Sequence, residues 1–167
     1  MKQRIFFNEV ATRDGFQNEP AFVPTDTKVA LVDALGECGY AKIEVTSFTS
    51  PKAIPMLKDA DEVMGRIRRV PGVEYTVLVP NLRGAERALA YFEASGPLPR
   101  LWRSVGDSRS DYLMADHLHA AGYEVAHVDV RPSDGILERP YRIITEGDLI
   151  HDEAGAAFLS YWVKQLL

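Results

Sequence analysis

The sequence predicts an α/β fold: an open, doubly wound, mainly parallel sheet of five or six strands with helices on both faces. Two patterns predict it. Short apolar runs rich in β-branched and aromatic residues alternate with runs whose apolar residues recur at helical spacing. Nearly every strand pattern is followed by a helix pattern, the order that builds βαβ units and a parallel sheet. The length agrees, since 167 residues hold a single α/β domain of this kind. A complete eight-fold (β/α) barrel would need roughly 200 residues or more.

Taken in order, Arg4 to Val10 reads as a buried strand. Thr25 to Gly39 reads as a helix, with Val29, Leu31, Val32 and Leu35 as its apolar stripe, Pro24-Thr25-Asp26 as a start signal and Gly39 as a stop. Ala41 to Thr46 is a second strand. Met56 to Arg69 is a second helix, with Leu57, Val63, Met64 and Ile67 inward. Val73 to Val79 is a third strand and Asn81 to Ser95 a third helix. The pattern resumes with a strand at Leu101 to Val105, a helix at Ser110 to Ala121 and a strand at Tyr123 to Val130. A short strand at Tyr141 to Thr145 precedes a closing helix at Asp152 to Leu166.

Composition removes several classes of function. Hydrophobic residues are 46 % and charged residues 26 % of the chain, an ordinary globular balance. The net charge of −5 and the lack of a basic stripe argue against nucleic acid as a partner. No apolar run approaches the roughly 18 residues of a membrane span. The apolar segment near the N-terminus is short for a signal peptide. Cys38 is the single cysteine, so no internal disulfide forms and a cytoplasmic location is expected. Its place in a predicted helix reads as a small core residue.

Composition shifts near Gly96-Pro97-Leu98-Pro99. Residues 1–93 hold five lysines and no histidine, while residues 94–167 hold one lysine and all four histidines. A surface loop and chance explain this, as does the meeting of two sequences of different origin, 1–93 and 94–167.

Two clusters of polar residues fall at strand ends, where parallel sheets bind ligands. The first is Thr12-Arg13-Asp14-Gly15-Phe16-Gln17-Asn18-Glu19. A carboxylate such as Asp14 supplies hard oxygen ligands to a divalent cation. A guanidinium such as Arg13 stabilises an oxyanion or enolate forming beside it. Gln17 is placed to orient a carbonyl or a metal-bound water. A loop salt bridge beside a glycine turn would look the same. The second cluster surrounds Glu44 in Lys42-Ile43-Glu44-Val45-Thr46-Ser47-Phe48-Thr49-Ser50-Pro51-Lys52. A carboxylate in a mostly apolar strand needs a partner. Arg13 is one choice; Lys42 or Lys52 is the other.

Asn8 to Glu19, Ile43 to Lys52 and Tyr75-Thr76-Val77-Leu78-Val79-Pro80-Asn81-Leu82-Arg83-Gly84 together resemble the 3-hydroxy-3-methylglutaryl-CoA lyase family. The resemblance runs over about residues 4–92, the N-terminal half of that family's TIM barrel. It implies a metal-dependent enzyme that cleaves a C–C bond in a CoA thioester. On that basis Asp14 is a metal ligand for Mg²⁺ or Mn²⁺, Arg13 stabilises the enolate, Gln17 and Glu44 support them, and an acyl-CoA is the partner. Ala11-Thr12 stands where the family commonly has Gly-Pro, and Phe16 where it commonly has Leu. The family's His-x-His pair on a later strand, its further Asn ligand and its cysteine on a glycine-rich loop are not found in that context. His127-Val128-Asp129 has the strand spacing of a ligand pair.

Gly106-Asp107-Ser108-x-x-Asp111-x-x-Met114-Ala115 resembles the fourth motif of haloacid-dehalogenase-like phosphatases, a likeness that extends over about residues 100–167. It implies that Asp107 and Asp111 hold or support Mg²⁺ and that a phosphate-containing small molecule is the partner. By themselves these residues also read as a helix cap and first turn. That family's aspartate nucleophile belongs on a first strand, where this chain has Asn8-Glu9-Val10.

Each half thus resembles part of a different enzyme, and each set of reactive groups is incomplete. The expectation is a chimeric α/β scaffold, natural or engineered, with little or no catalysis. The alternatives are an active C–C lyase on an acyl-CoA and a Mg²⁺-dependent phosphatase. Asp14, Asp107 and Asp111 are expected on one sheet edge, and open sheet edges are expected to favour homo-oligomers.

Overall fold

The computed structural model describes residues 6–95, 102–106, 109–129 and 138–145. It divides into two compact units, Met1–Pro97 and Leu98–Leu167, a division close to the composition shift. The chain is α/β, and among the described residues its strands are parallel and pair as two sheets of three.

The first unit contains β1 (Asn8–Glu9), α1 (Thr25–Gly36), β2 (Lys42–Ser47), α2 (Ala60–Arg66), β3 (Glu74–Leu78) and α3 (Leu82–Ser95). The sheet order is β1-β2-β3, all parallel. Ile43 and Val45 point to one face of β2 and pack with Val32 of α1 and Val63, Met64 and Ile67 at α2. Lys42 and Glu44 alternate to the other face. Gly39 and Gly72, at φ +81 and +89°, make the turns that lead into β2 and β3. A Cβ at either position would meet strain from the backbone rather than from a neighbour, since nothing lies within 4 Å.

Several sequence expectations change in detail. The strand expected from Arg4 is described only from residue 6, and its paired part is two residues long. The second helix is split: Pro55–Leu57 is a 3₁₀ turn and α2 begins at Ala60. Its expected inward residues are nevertheless all buried. On α1 the stripe is rotated. Leu31 is exposed, and the buried position is taken by Lys28, 3 % exposed. Lys28 Nζ donates to Asp59 Oδ1 at 2.7 Å and to the Met56 carbonyl at 2.5 Å, and lies 4.2 Å from the centre of the Phe22 ring. A buried ammonium is tolerated because all these partners converge on it. Cys38 is exposed in the turn after α1, its Sγ bonded to the Ala34 carbonyl, and is not a core residue.

The second unit contains β4 (Trp102–Gly106), α4 (Arg109–Ala120), β5 (Val125–Asp129) and β6 (Arg142–Ile144), in the parallel order β4-β5-β6. Every residue of β5 is buried, as expected of a central parallel strand. The closing helix expected over 152–166 lies outside the described residues. Among the described residues no helix is long and apolar enough to cross a membrane.

Candidate functional site

β1 ends early because Glu9 turns on its own backbone. Its Oε1 accepts from the amides of Val10 and Ala11 at 2.8 and 2.7 Å. Those amides therefore no longer extend the ladder. The chain enters a π-helical turn, Ala11–Gly15, beside β2. Thr12 is buried within it at 1 % exposure. Its Oγ1 donates to the Glu44 carbonyl at 2.9 Å.

Arg13 and Asp14 follow on this turn. Arg13 Nε donates to Glu44 Oε1, and Arg13 Nη1 to Asp14 Oδ1 at 2.7 Å. The Arg13 and Glu44 side chains are 19 % and 24 % exposed, whereas Asp14 is 54 % exposed. Of the three partners the sequence left open for Glu44, Arg13 is the one it meets. Lys42 pairs with Glu74 at 3.2 Å, and Lys52 is exposed. Two carboxylates at different donors fix the plane of a guanidinium, which is how a positive group is held ready for a developing anion. Gln17 is half-buried a turn further on. The Asn18 amide group donates to the Asp14 carbonyl at 2.7 Å.

A hydroxyl cluster that sequence reasoning did not single out closes β2. Thr49 Oγ1 and Ser47 Oγ lie 2.5 Å apart, and Ser47 donates to the Leu78 carbonyl at 3.2 Å. The Thr49 amide also donates to Ser47 Oγ at 3.1 Å. Arg87 of α3 lies over the Phe48 ring and pairs with Asp61. The signal was the run Thr46-Ser47-Phe48-Thr49-Ser50, dense in hydroxyls directly after a strand.

In the second unit, Asp107 lies outside the described residues. Asp111 stands in the first turn of α4 and packs on Gly106, where a Cβ would fall 2.1 Å from its carboxyl group. Asp14 belongs to the first unit and Asp111 to the second. His127 and Asp129 share a strand face as expected, but each has its own partner. His127 Nδ1 is 2.7 Å from Ser104 Oγ on the neighbouring strand, and Asp129 Oδ2 accepts from the Tyr112 hydroxyl. Burial pushes the His127 imidazole below the ordinary histidine range, against the pull of Asp129, Asp111 and Asp116. Burial and the Asp129 hydrogen bond push the Tyr112 hydroxyl well up. Burial would raise Asp116, but hydrogen bonds from Arg139 and Tyr141 outweigh it and hold the carboxyl low.

Two spacings in the sequence mimic family motifs and are settled by their surroundings. His117-Leu118-His119 is a His-x-His, but it lies on α4, where residues two apart do not face one another. Asp59-Ala60-Asp61 is an Asp-x-Asp, but Asp59 serves Lys28 and Thr25, and Asp61 serves Arg87. Among the described residues, no group of three or more His, Cys, Asp or Glu side chains is gathered as a metal site would need. Asp14 alone, with one oxygen committed to Arg13, does not make a divalent-cation site.

The first unit is thus a parallel α/β structure that carries a carboxylate-clamped arginine where its loop turns over β2. No family model matches the chain. The chain is similar to the mitochondrial hydroxymethylglutaryl-CoA lyase of Gallus gallus, 50 % identical over 88 residues, which are 53 % of this chain and 30 % of that protein. Among solved structures, the HMG-CoA lyase of Brucella melitensis superposes with a TM-score of 0.60 at 32 % identity, covering 98 % of this chain and 58 % of that one. An HMG-CoA lyase solved with coenzyme A and 3-methylmalate superposes with a TM-score of 0.59 at 29 % identity, covering 94 % of this chain and 52 % of that one. The chain therefore spans a little over half the length of the solved relatives, and its match covers less than a third of the curated one. The lyase resemblance over about half the chain is supported, and with it the α/β barrel-type fold. Nothing in these comparisons supports a phosphatase-like second half or a chimera.

Proposed function

We propose that this chain carries the arginine–carboxylate portion of a C–C lyase site for an acyl-CoA of the hydroxymethylglutaryl type, with little or no turnover from these 167 residues by themselves. One observation carries the reading: Arg13, held by Glu44 and Asp14 beside β2, in a fold shared with HMG-CoA lyases. In the proposed role Arg13 faces the thioester oxygen, where charge builds as the C–C bond breaks and an enolate forms. Glu44 holds the guanidinium in place, and Gln17 lies within a turn of it to orient the substrate. Asp14 is the proposed contributor to a Mg²⁺ or Mn²⁺ site, and the carboxylate and imidazole groups beside it among the described residues are too few to hold the ion by themselves. The low turnover follows from the same count. The first 93 residues contain no histidine to complete such a site or to move a proton.

The test is a steady-state assay of the purified chain on 3-hydroxy-3-methylglutaryl-CoA with Mg²⁺ or Mn²⁺. The expected result is a rate orders of magnitude below that of a complete lyase, together with measurable acyl-CoA binding that weakens in Arg13→Gln. Rapid turnover that Asp14→Ala abolishes would overturn the low-activity claim. Binding indifferent to Arg13→Gln would overturn the assignment of the site.

A further inference from the structure

We infer that Thr12 is a positioning residue for Arg13, fixing the guanidinium through the main chain of the residue that also grips it by its side chain. This rests on the proposed role of Arg13. Thr12 is the one buried residue in the turn Ala11–Gly15, and it is polar. A buried hydroxyl requires a partner, and Thr12 Oγ1 finds it in the Glu44 carbonyl at 2.9 Å. That carbonyl is the first on β2 beyond the residues paired with β1, Lys42 and Ile43. The amides that would have continued β1 are turned back onto Glu9. The Thr12 hydroxyl takes their place. Consecutive residues, Thr12 and Arg13, therefore bind the main-chain and side-chain oxygens of one residue, Glu44. Two attachment points at adjacent positions remove the freedom of the loop to pivot about the ion pair.

This anchor belongs to this chain's own sequence. Proline, which the resembling family commonly carries at this position, has no hydroxyl to donate and would restrain the same loop through its ring instead.

The test reads the Arg13 Nε–H directly, by ¹⁵N NMR of the intact chain without substrate or metal. In the native protein its exchange with solvent is expected to be slower than that of the exposed Arg66 and Arg68. Thr12→Val keeps the shape and removes the donor. It is expected to speed exchange at Arg13 Nε by about five- to tenfold, the ratio set by a typical net hydrogen bond. Thr12→Ser is expected to restore the native rate. Thr76→Val is the control, because Thr76 Oγ1 also bonds a β2 carbonyl, that of Ile43 at 3.5 Å, on the β3 side. It is expected to leave Arg13 unchanged. If Thr12→Val loses the fold, Thr12→Ala takes its place with the same expectation. Native exchange at Arg13 as fast as at Arg66, an unchanged rate in the Thr12 variant, or an equal rise in Thr76→Val overturns the inference. Because no substrate is present, failure of the lyase reading leaves these results interpretable, and it shows separately in the acyl-CoA assay.

Discussion

Arg13 and Glu44 are 31 residues apart in sequence, yet the Nε of one meets the Oε1 of the other across the junction between a loop and the neighbouring strand. The pair is mostly shielded, so its loss is felt in the fold as well as in the proposed site. Glu44→Gln keeps an acceptor but removes the charge. It is expected to lower unfolding stability by about 1.5–3 kcal/mol, the range for hydrogen bonds to charged groups. Urea titration at neutral pH measures it, and an unchanged midpoint would count against the pair.

The Lys28–Asp59 pair makes a stronger demand because both side chains are almost fully enclosed. Asp59→Ala strands the ammonium and is expected to cost about 3–5 kcal/mol. Lys28→Met with Asp59→Ala is expected to recover part of that loss, since no charge is then left buried. A double-mutant cycle by chemical denaturation gives the coupling.

His127 makes stability depend on pH. It is completely buried, and burial holds its folded pKa below the unfolded one. The unfolded chain therefore takes up a proton that the folded chain refuses. Stability attributable to this group is intact above the unfolded value of about 6.5 and falls as pH drops toward the folded value. The groups around it are Ser104, Tyr112, Asp111, Asp116 and Asp129. His127→Gln is expected to flatten the fall. Midpoints measured from about pH 7 down to about pH 5 check the sign.

Gly106 is predicted to tolerate no side chain while Asp111 is present. Gly106→Ala would force the carboxyl group aside and is expected to cost about 1–3 kcal/mol, the usual range for overpacking. Adding Asp111→Ala is expected to return most of it. Thermal unfolding of the two variants decides.

Cys38 is predicted to react with a thiol reagent in the native state at the rate of an exposed cysteine. The extent of labelling under native conditions measures it. Labelling only after denaturation would return Cys38 to the core.

The sequence disclosed most of the elements because their apolar spacing is set by backbone geometry. Val63, Met64 and Ile67 are inward as their period requires. The Arg13–Glu44 pairing was visible as one of two choices, because an acid in an apolar strand must be neutralised. What was not visible depended on partners distant in sequence. Lys28 displaces Leu31 from the buried stripe because Asp59 and the Met56 carbonyl happen to lie where it reaches. Thr12 escaped notice because a threonine in a loop gives no sign of which carbonyl it meets. Cys38 followed its helix pattern only until the helix stopped at Gly36.

The pairing of β2 with β3 passes from Glu44↔Thr76 to Thr46↔Val77, so Val45 has no counterpart. Val45 and Thr46 thus lie toward the same side, and Glu44 shares its side with Ser47, three positions on rather than two. Anyone choosing residues to randomise around Glu44 by counting every second position would select Thr46 and engineer the back of the sheet. The hydroxyl on the acid's side belongs to Ser47, which is fully buried.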